Sequence, residues 1–235
     1  MKLDKFIGQS GFTSRRKAWT LIDEKRITVN GKVANFSTKV NEGDTILIDG
    51  VNLVQMEFVA TYIAYHKPKG IECTTEKIAG NIIDAIGHPQ TIYPIGRLDK
   101  ASEGLILLTN QAALINQIAN SAFGHEKEYI VTLNLPVRKQ FLREISEGVE
   151  LDGVLTRPCK VKTIPNTKRL FSIVLTHGLN RQIRRMCALF DYQVVRLQRI
   201  RVMHIELGNL KSGEWRDLTQ AELDKLFAEV GFKEA

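Results

Sequence analysis

The run Leu105-Ile106-Leu107-Leu108 follows directly on a polar, glycine-bounded segment, Gly96-Arg97-Leu98-Asp99-Lys100-Ala101-Ser102-Glu103-Gly104. A short, unbroken apolar run behind a glycine fits a strand covered on both faces. The chain must therefore build a sheet with this strand inside it and set a charged loop at its mouth. Asp99 is the informative residue of that loop. The protein has a formal net charge of +7, and a lone carboxylate among cations stays ionised, as a base or nucleophile must. A bare Arg-x-Asp is more often a loop ion pair or a helix cap, so Asp99 needs support from elsewhere in the chain.

Similar segments recur along the sequence. Strands are expected near 60–66, 104–109, 128–135, 159–164, 169–176 and 192–201. Helices are expected near 81–86, 110–119, 138–147, 180–190 and 219–229. Several strands follow one another through short turns, which predicts an α+β fold with a mixed, mostly antiparallel sheet flanked by helices. A length of 235 residues suits one good core plus a small satellite domain. With 43% hydrophobic and 25% charged residues, neither disorder nor a fibrous repeat is indicated. The apolar runs are too short to span a membrane, and Met1-Lys2-Leu3-Asp4-Lys5 lacks the apolar core of a signal peptide. Cys73, Cys159 and Cys187 are odd in number and widely spaced, as free thiols of a reducing compartment are. These features predict a soluble cytoplasmic protein with no membrane attachment.

The positive charge is concentrated. Residues 1–50 carry net +3, residues 177–204 carry +5, and the remainder sums to −1. Two basic patches flanking a candidate active site predict a long anionic partner. In the first patch, Leu3, Phe6 and Ile7 are spaced for a short helix. Ser14 then caps a second helix with Ala18, Leu21 and Ile22 facing inward. Arg15, Arg16 and Lys17 crowd its first turn, where cations oppose the helix dipole and favour an external anion. Asn30-Gly31 inside Ile27–Val33 is a hairpin signal, and Thr45–Ile48 reads as a closing strand. Residues 51–58 read as a short connection, dividing the chain into 1–57 and 58–235.

The second patch holds His177-Gly178-Leu179-Asn180-Arg181-Gln182-Ile183-Arg184-Arg185-Met186-Cys187. Asn180 is placed to cap a helix whose apolar face is Ile183, Met186, Cys187 and Phe190, with Arg181, Arg184 and Arg185 opposite. Helix geometry alone describes an amphipathic helix with a hydrated basic face. Tyr129 lies in an alternating strand, where an aromatic is usually half-buried. His125-Glu126-Lys127-Glu128-Tyr129 lacks the second histidine of a zinc motif, and His66, His88, His177 and His204 are scattered. With no Walker loop and no Gly-x-Gly-x-x-Gly, nucleotide cofactors are not implied.

The Asp99 loop and the Asn180–Met186 segment together resemble the RNA pseudouridine synthases, in the branch that includes RsuA, RluB, RluE and RluF. His66-Lys67-Pro68-Lys69-Gly70, Arg196-Leu197-Gln198-Arg199-Ile200-Arg201 and Gly213-Glu214-Trp215 extend the resemblance over nearly all of the chain. Lys100, the His125–Tyr129 segment and Gly213-Glu214-Trp215 are most similar to the RluF subfamily. That subfamily often carries a long basic C-terminal extension, and the sequence ends at Ala235 without one, so tail-dependent ribosome binding is not expected. Residues 1–50 resemble the S-four-type (α-L) RNA-binding module through Lys2-Leu3-Asp4-Lys5-Phe6, Ser14-Arg15-Arg16 and Val29-Asn30-Gly31-Lys32.

The resemblance implies an isomerase that detaches uracil from ribose, rotates it and rejoins it through carbon-5; with no redox change and no net hydrolysis, neither a metal nor an organic cofactor is expected. Asp99 starts the reaction, by covalent attack or by removing a ribose proton. Arg184 pairs with Asp99, Tyr129 lies against the uracil, and Leu197 packs beside Asp99. RNA contacts fall to Lys2, Lys5, Arg15, Arg16, Lys17, Arg26 and Lys32 in the first unit. In the second they fall to Lys67, Arg97, Lys100, Arg181 and Arg185. The implied substrate is a uridine of large-subunit (23S) ribosomal RNA near the peptidyl-transferase region, in a stem-loop, with tRNA anticodon loops as a second substrate and the enzyme a monomer. Two other readings stand beside it: a sister synthase for another ribosomal site, and a non-catalytic ribosome-associated RNA-binding factor. A pure binder has no use for Asp99, Tyr129 and Arg184 together.

Overall fold

The computed structural model describes residues 1–10, 12–53 and 59–233. The first unit shares its few apolar residues between two helices and a small sheet. Leu3 and Ile7 of α1 (Leu3–Gln9) and Ala18, Leu21 and Ile22 of α2 (Arg15–Asp23) are buried together. They pack on Ile27 and Val29 of β1 (Ile27–Val29) and on Ile46 and Ile48 of β3 (Ile46–Ile48), with β2 (Lys32–Val33) and β4 (Val51–Asn52) at the edges. The order is β2-β1-β3-β4, antiparallel throughout. Ser14 Oγ accepts the Lys17 N–H at 3.2 Å, capping α2 as expected. Asn30 and Gly31 have φ of 50° and 76°, the two left-handed residues that a tight two-residue hairpin needs. The expected connection starts later than the sequence suggests, because Val51 and Asn52 pair with β3. The rest of it, residues 54–58, lies outside the described residues.

The second unit is built on a nine-stranded sheet. In chain order it comprises β5 (Tyr62–Lys67), α3 (Ile82–Ile86), β6 (Tyr93–Pro94), β7 (Glu103–Thr109), α4 (Ala112–Ala119) and β8 (Lys127–Leu133). Then come α5 (Lys139–Glu147), the hairpin β9 (Glu150–Leu151) and β10 (Val154–Leu155), β11 (Lys160–Thr163), β12 (Leu170–Leu175) and α6 (Gln182–Ala188). The unit ends with β13 (Val194–Val202), β14 (Ile205–Glu206), β15 (Trp215–Asp217) and α7 (Gln220–Val230). The main path runs β11-β12-β8-β13-β7-β5-β15, with β14 on β13 and β6 on β7.

β7 is buried from Gly104 to Thr109, as its apolar run requires. Leu105 and Leu107 face a core closed by α4 and α7, while Ile106 and Leu108 face one closed by α3. A further core gathers Val131, Phe171 and Leu197 under α5 and α6. β13 and β7 form the sheet's parallel pair, with Arg199 opposite Gly104. Gly104 has φ of 110°, and a side chain there would overlap the Arg199 backbone. Glycine at this point lets β13 close on β7 and brings Leu197 beside the Asp99 loop.

Candidate active site

Asp99 lies half-buried in an irregular loop just before β7. Its neighbours in the loop are clamped through their backbone. Leu98 N–H donates to Cys73 Sγ at 3.4 Å, Gly70 N–H donates to Lys100 O at 2.8 Å, and Ser102 N–H donates to Asp99 O at 2.9 Å. Among the described residues the carboxylate itself has no hydrogen bond or ion pair. A fixed backbone carrying an unengaged carboxylate is a preorganised reactive group.

The expected Asp99–Arg184 ion pair is corrected by this arrangement. Arg184 Nη1 donates to Val194 O at 2.8 Å, and Nη2 donates to Ala101 O at 3.0 Å and reaches Ser102 Oγ at 3.4 Å. The guanidinium fork therefore ties α6, β13 and the Asp99 loop together, and its charge acts on Asp99 through space. Burial, then the neighbouring Arg181, push its pKa below the ordinary value, while Asp99 opposes them.

Lys67 is also corrected. At the end of β5 it is fully buried, so it does not reach RNA phosphate. Its Nζ donates to Pro68 O at 2.9 Å and Ile71 O at 2.7 Å, holding the turn from which Gly70 clamps Lys100. Burial lowers the ammonium's pKa, with the surrounding Cys73 and Asp99 opposing it.

Tyr129 from β8 and Leu197 from β13 meet Asp99 around a narrow slot of about 80 Å³. His177, Arg181 and Gln182 close its other side. Asn180 does not cap α6 as expected; Arg181 occupies the cap position in a left-handed backbone conformation (φ 49°). The Gln182 side chain instead accepts the Leu179 N–H at 2.9 Å and sends its amide toward His177 Nε2 at 3.2 Å. His177 passed as one of several scattered histidines in the sequence, since only the pairing of β12 with β8 brings it to the slot. Burial, then Arg157, hold its pKa below the usual imidazole range.

The slot opens on wider space. A polar cavity of about 550 Å³ shares Arg97, Asp99 and Arg181 with it and adds Glu72, Lys100 and Asn180. A further cavity of about 460 Å³ lies between the two units, running from Thr13, Ser14 and Arg15 to Tyr93 and Arg97. Arg97, Lys100 and Arg181 are exposed around this groove, as are Lys2, Lys5, Arg16, Lys17 and Lys32 on the first unit. Several of the expected RNA contacts are engaged internally, Lys100 among them, with Glu72 at 3.6 Å. Arg26 donates to both Asp49 oxygens, at 2.8 and 2.6 Å, and to Glu24 at 2.9 Å, so its charge is neutralised locally. Arg185 pairs with Asp152 at 2.5 Å, and Arg15 with Asp4 at 2.6 Å.

The comparisons with known proteins agree with this geometry. Residues 61–189 match the RNA pseudouridylate synthase family and residues 1–46 match the S4 domain. The chain is 44% identical over 229 residues to the dual-specificity RNA pseudouridine synthase RluF of Escherichia coli (strain K12), covering 97% of this chain and 78% of that protein. It is 33% identical to the ribosomal large subunit pseudouridine synthase B of Bacillus subtilis (strain 168), covering 97% and 96% of the two chains. A crystal structure of a pseudouridylate synthase matches with a TM-score of 0.70 and 29% identity, over 96% of this chain and 99% of that one. Fold and site define an RNA-modifying enzyme with its own RNA-binding module. The chain belongs to the RNA pseudouridine synthase family and acts on RNA. Among the described residues no helix is long and apolar enough to cross a membrane.

Proposed function

We propose that this enzyme converts one uridine of large-subunit (23S) ribosomal RNA, in a stem-loop near the peptidyl-transferase region, to pseudouridine. The supporting observation is the meeting of Asp99, Tyr129 and Leu197 in a slot that opens on a groove bordered by both units. The similarity to a large-subunit synthase and to a dual-specificity enzyme favours ribosomal RNA, with tRNA as a second substrate. In this reading the protein is a cytoplasmic monomer with functional units 1–57 and 58–235.

The target base leaves its stack and enters the slot, at a cost of about a few kcal/mol that is smallest in a loop or weakened stem. Asp99 then attacks the ribose or removes its proton, and the bond from ribose carbon-1 to uracil N1 breaks. Uracil turns against Tyr129, with Leu197 as the wall that keeps it over the sugar. A bond forms from carbon-1 to carbon-5 as the Asp99–ribose bond breaks, or as Asp99 returns the ribose proton; the carbon-5 proton is lost and N1 is protonated, so atoms and electrons balance. Arg184 keeps the Asp99 loop in place, while Arg97, Lys100 and Arg181 hold the flanking phosphates.

Mapping pseudouridine in ribosomal and transfer RNA from cells lacking the gene tests the reading. Loss of a single 23S site is expected. Loss at a site outside 23S ribosomal RNA would make the protein a sister synthase, and no loss anywhere would favour the non-catalytic factor.

A further inference from the structure

The first unit exposes an aromatic pair that its core does not use. Trp19 is 54% exposed and Phe36 51%, with ring centroids 5.3 Å apart and planes inclined at 51°. Single exposed apolar side chains are ordinary, but this pair is held in place. Trp19 Nε1–H donates to Asp4 Oδ2 at 3.1 Å, and the same oxygen accepts Arg15 Nη2 at 2.6 Å. Asp4 is only 6% exposed, so the carboxylate that anchors the indole edge is itself fixed by the fold.

The surroundings of the pair are cationic. Arg15 and Arg16 precede Trp19 on α2 by four and three residues, which places all three on neighbouring sides of the helix. Arg15 also lines the cavity between the two units, and that cavity shares Arg97 with the slot around Asp99. Through their shared partner Asp4, Trp19 is therefore linked to an arginine that borders the groove leading to the reacting carboxylate. An apolar protein partner would have to bury Arg16, which has no carboxylate partner among the described residues, and that is costly. An RNA strand meets both needs, with base faces for the rings and phosphates for the guanidinium groups.

We infer that Trp19 and Phe36 form a stacking platform for an unpaired base of the bound RNA, separate from the uridine that enters the slot. In a duplex each base face is covered by its neighbours, so the platform selects RNA with a looped or single-stranded segment. The inference requires an RNA substrate and holds whichever uridine is modified.

The chain has two tryptophans, so Trp215→Phe leaves Trp19 as the sole indole without altering the platform. A short single-stranded oligouridylate is expected to quench its fluorescence saturably. A blunt RNA duplex of equal length, shown by anisotropy to bind, is expected to leave it unquenched. In the otherwise native chain, Trp19→Ala should weaken oligouridylate binding by about 5- to 150-fold, the range a lost base–aromatic stack gives. Its salt dependence should stay unchanged, and Trp19→Phe should restore part of the affinity. Saturated pseudouridine formation should be the same in all these proteins. Undiminished binding by both Trp19 variants, equal quenching by the duplex, or a fall in the saturated rate would each overturn the platform. Should Trp19→Ala fail to fold, the quenching contrast and Trp19→Phe decide the matter. Absence of pseudouridine in the unaltered enzyme's ribosomal RNA would count against the proposed substrate and leave the binding result standing.

Discussion

Asp99 is positioned by its neighbours' backbone, so a change confined to its carboxylate tests chemistry without disturbing the loop. Asp99→Asn keeps the shape and should abolish tritium release from uracil carbon-5 while RNA affinity changes little. Residual turnover above about one-thousandth of the unaltered enzyme would remove Asp99 from the role of nucleophile or base. Arg184 and Arg181 should then separate. Arg184→Met removes the donors to Val194, Ala101 and Ser102, and the loosened loop should lower the saturated rate by about 100-fold, as small displacements of reacting groups do. Melting temperature should fall with it, because those carbonyls lose their buried partner. Arg181→Met should weaken RNA binding and leave both quantities nearly unchanged. Equal rate losses in the two variants would mean that the fork's backbone contacts are not what matters. The sequence marked Arg184 as important and mistook its partner, since charge is visible along a chain and backbone carbonyls are not. Lys67 was misread for a related reason: a lysine at a strand end looks exposed until the turn after it folds back over the ammonium.

Elements whose signal is their own were legible, and those defined by a neighbour were not. β5, β7, β8, β12 and β13 announce themselves through apolar or alternating runs, and each long helix through its stripe. The two-residue strands β6, β9, β10 and β14 exist because another strand offers partners at the right spacing. β8 also carries a charge that its place in the sheet makes costly. Lys127 is largely enclosed, and burial, with Arg199 nearby, lowers its pKa to about 8. In the unfolded chain a lysine titrates near about 10.4. Between these values the unfolded state holds more protons, so this residue makes stability rise with pH across that window. Below about pH 8 the whole penalty is present, on the order of 3 kcal/mol. Lys127→Met should therefore be more stable than the unaltered protein at neutral pH by roughly that amount, with the advantage fading as pH approaches about 10.4. Urea denaturation of both proteins at neutral and alkaline pH measures the difference directly. A constant gap would show that Lys127 is well solvated in the folded state.

At the scale of the whole molecule, two separately cored units border one groove. Among the described residues, the first unit's core draws on residues between Leu3 and Leu53, with Phe6 and Phe12 packed against it, and no core of the second borrows from it. The units meet where Tyr93 lies against Ser14 and Thr13, and burial there raises the phenol's pKa. The contact at Tyr93 was not visible in the sequence, because nothing near that residue encodes its partner. Affinity for RNA should divide in the same way. Arg16 is exposed, with no carboxylate partner among the described residues, so Arg16→Gln in the full chain should release one phosphate contact. The slope of log affinity against log salt should flatten by about 0.7 to 0.9. Arg26 is exposed too, but Asp49 and Glu24 already neutralise it, so Arg26→Gln should leave the slope where it was. Filter-binding titrations of the two variants over a range of salt concentrations, with one RNA fragment, give both slopes. A flattened slope for Arg26→Gln would mean that RNA displaces those carboxylates. An unchanged slope for Arg16→Gln would mean that this face of α2 does not meet the backbone.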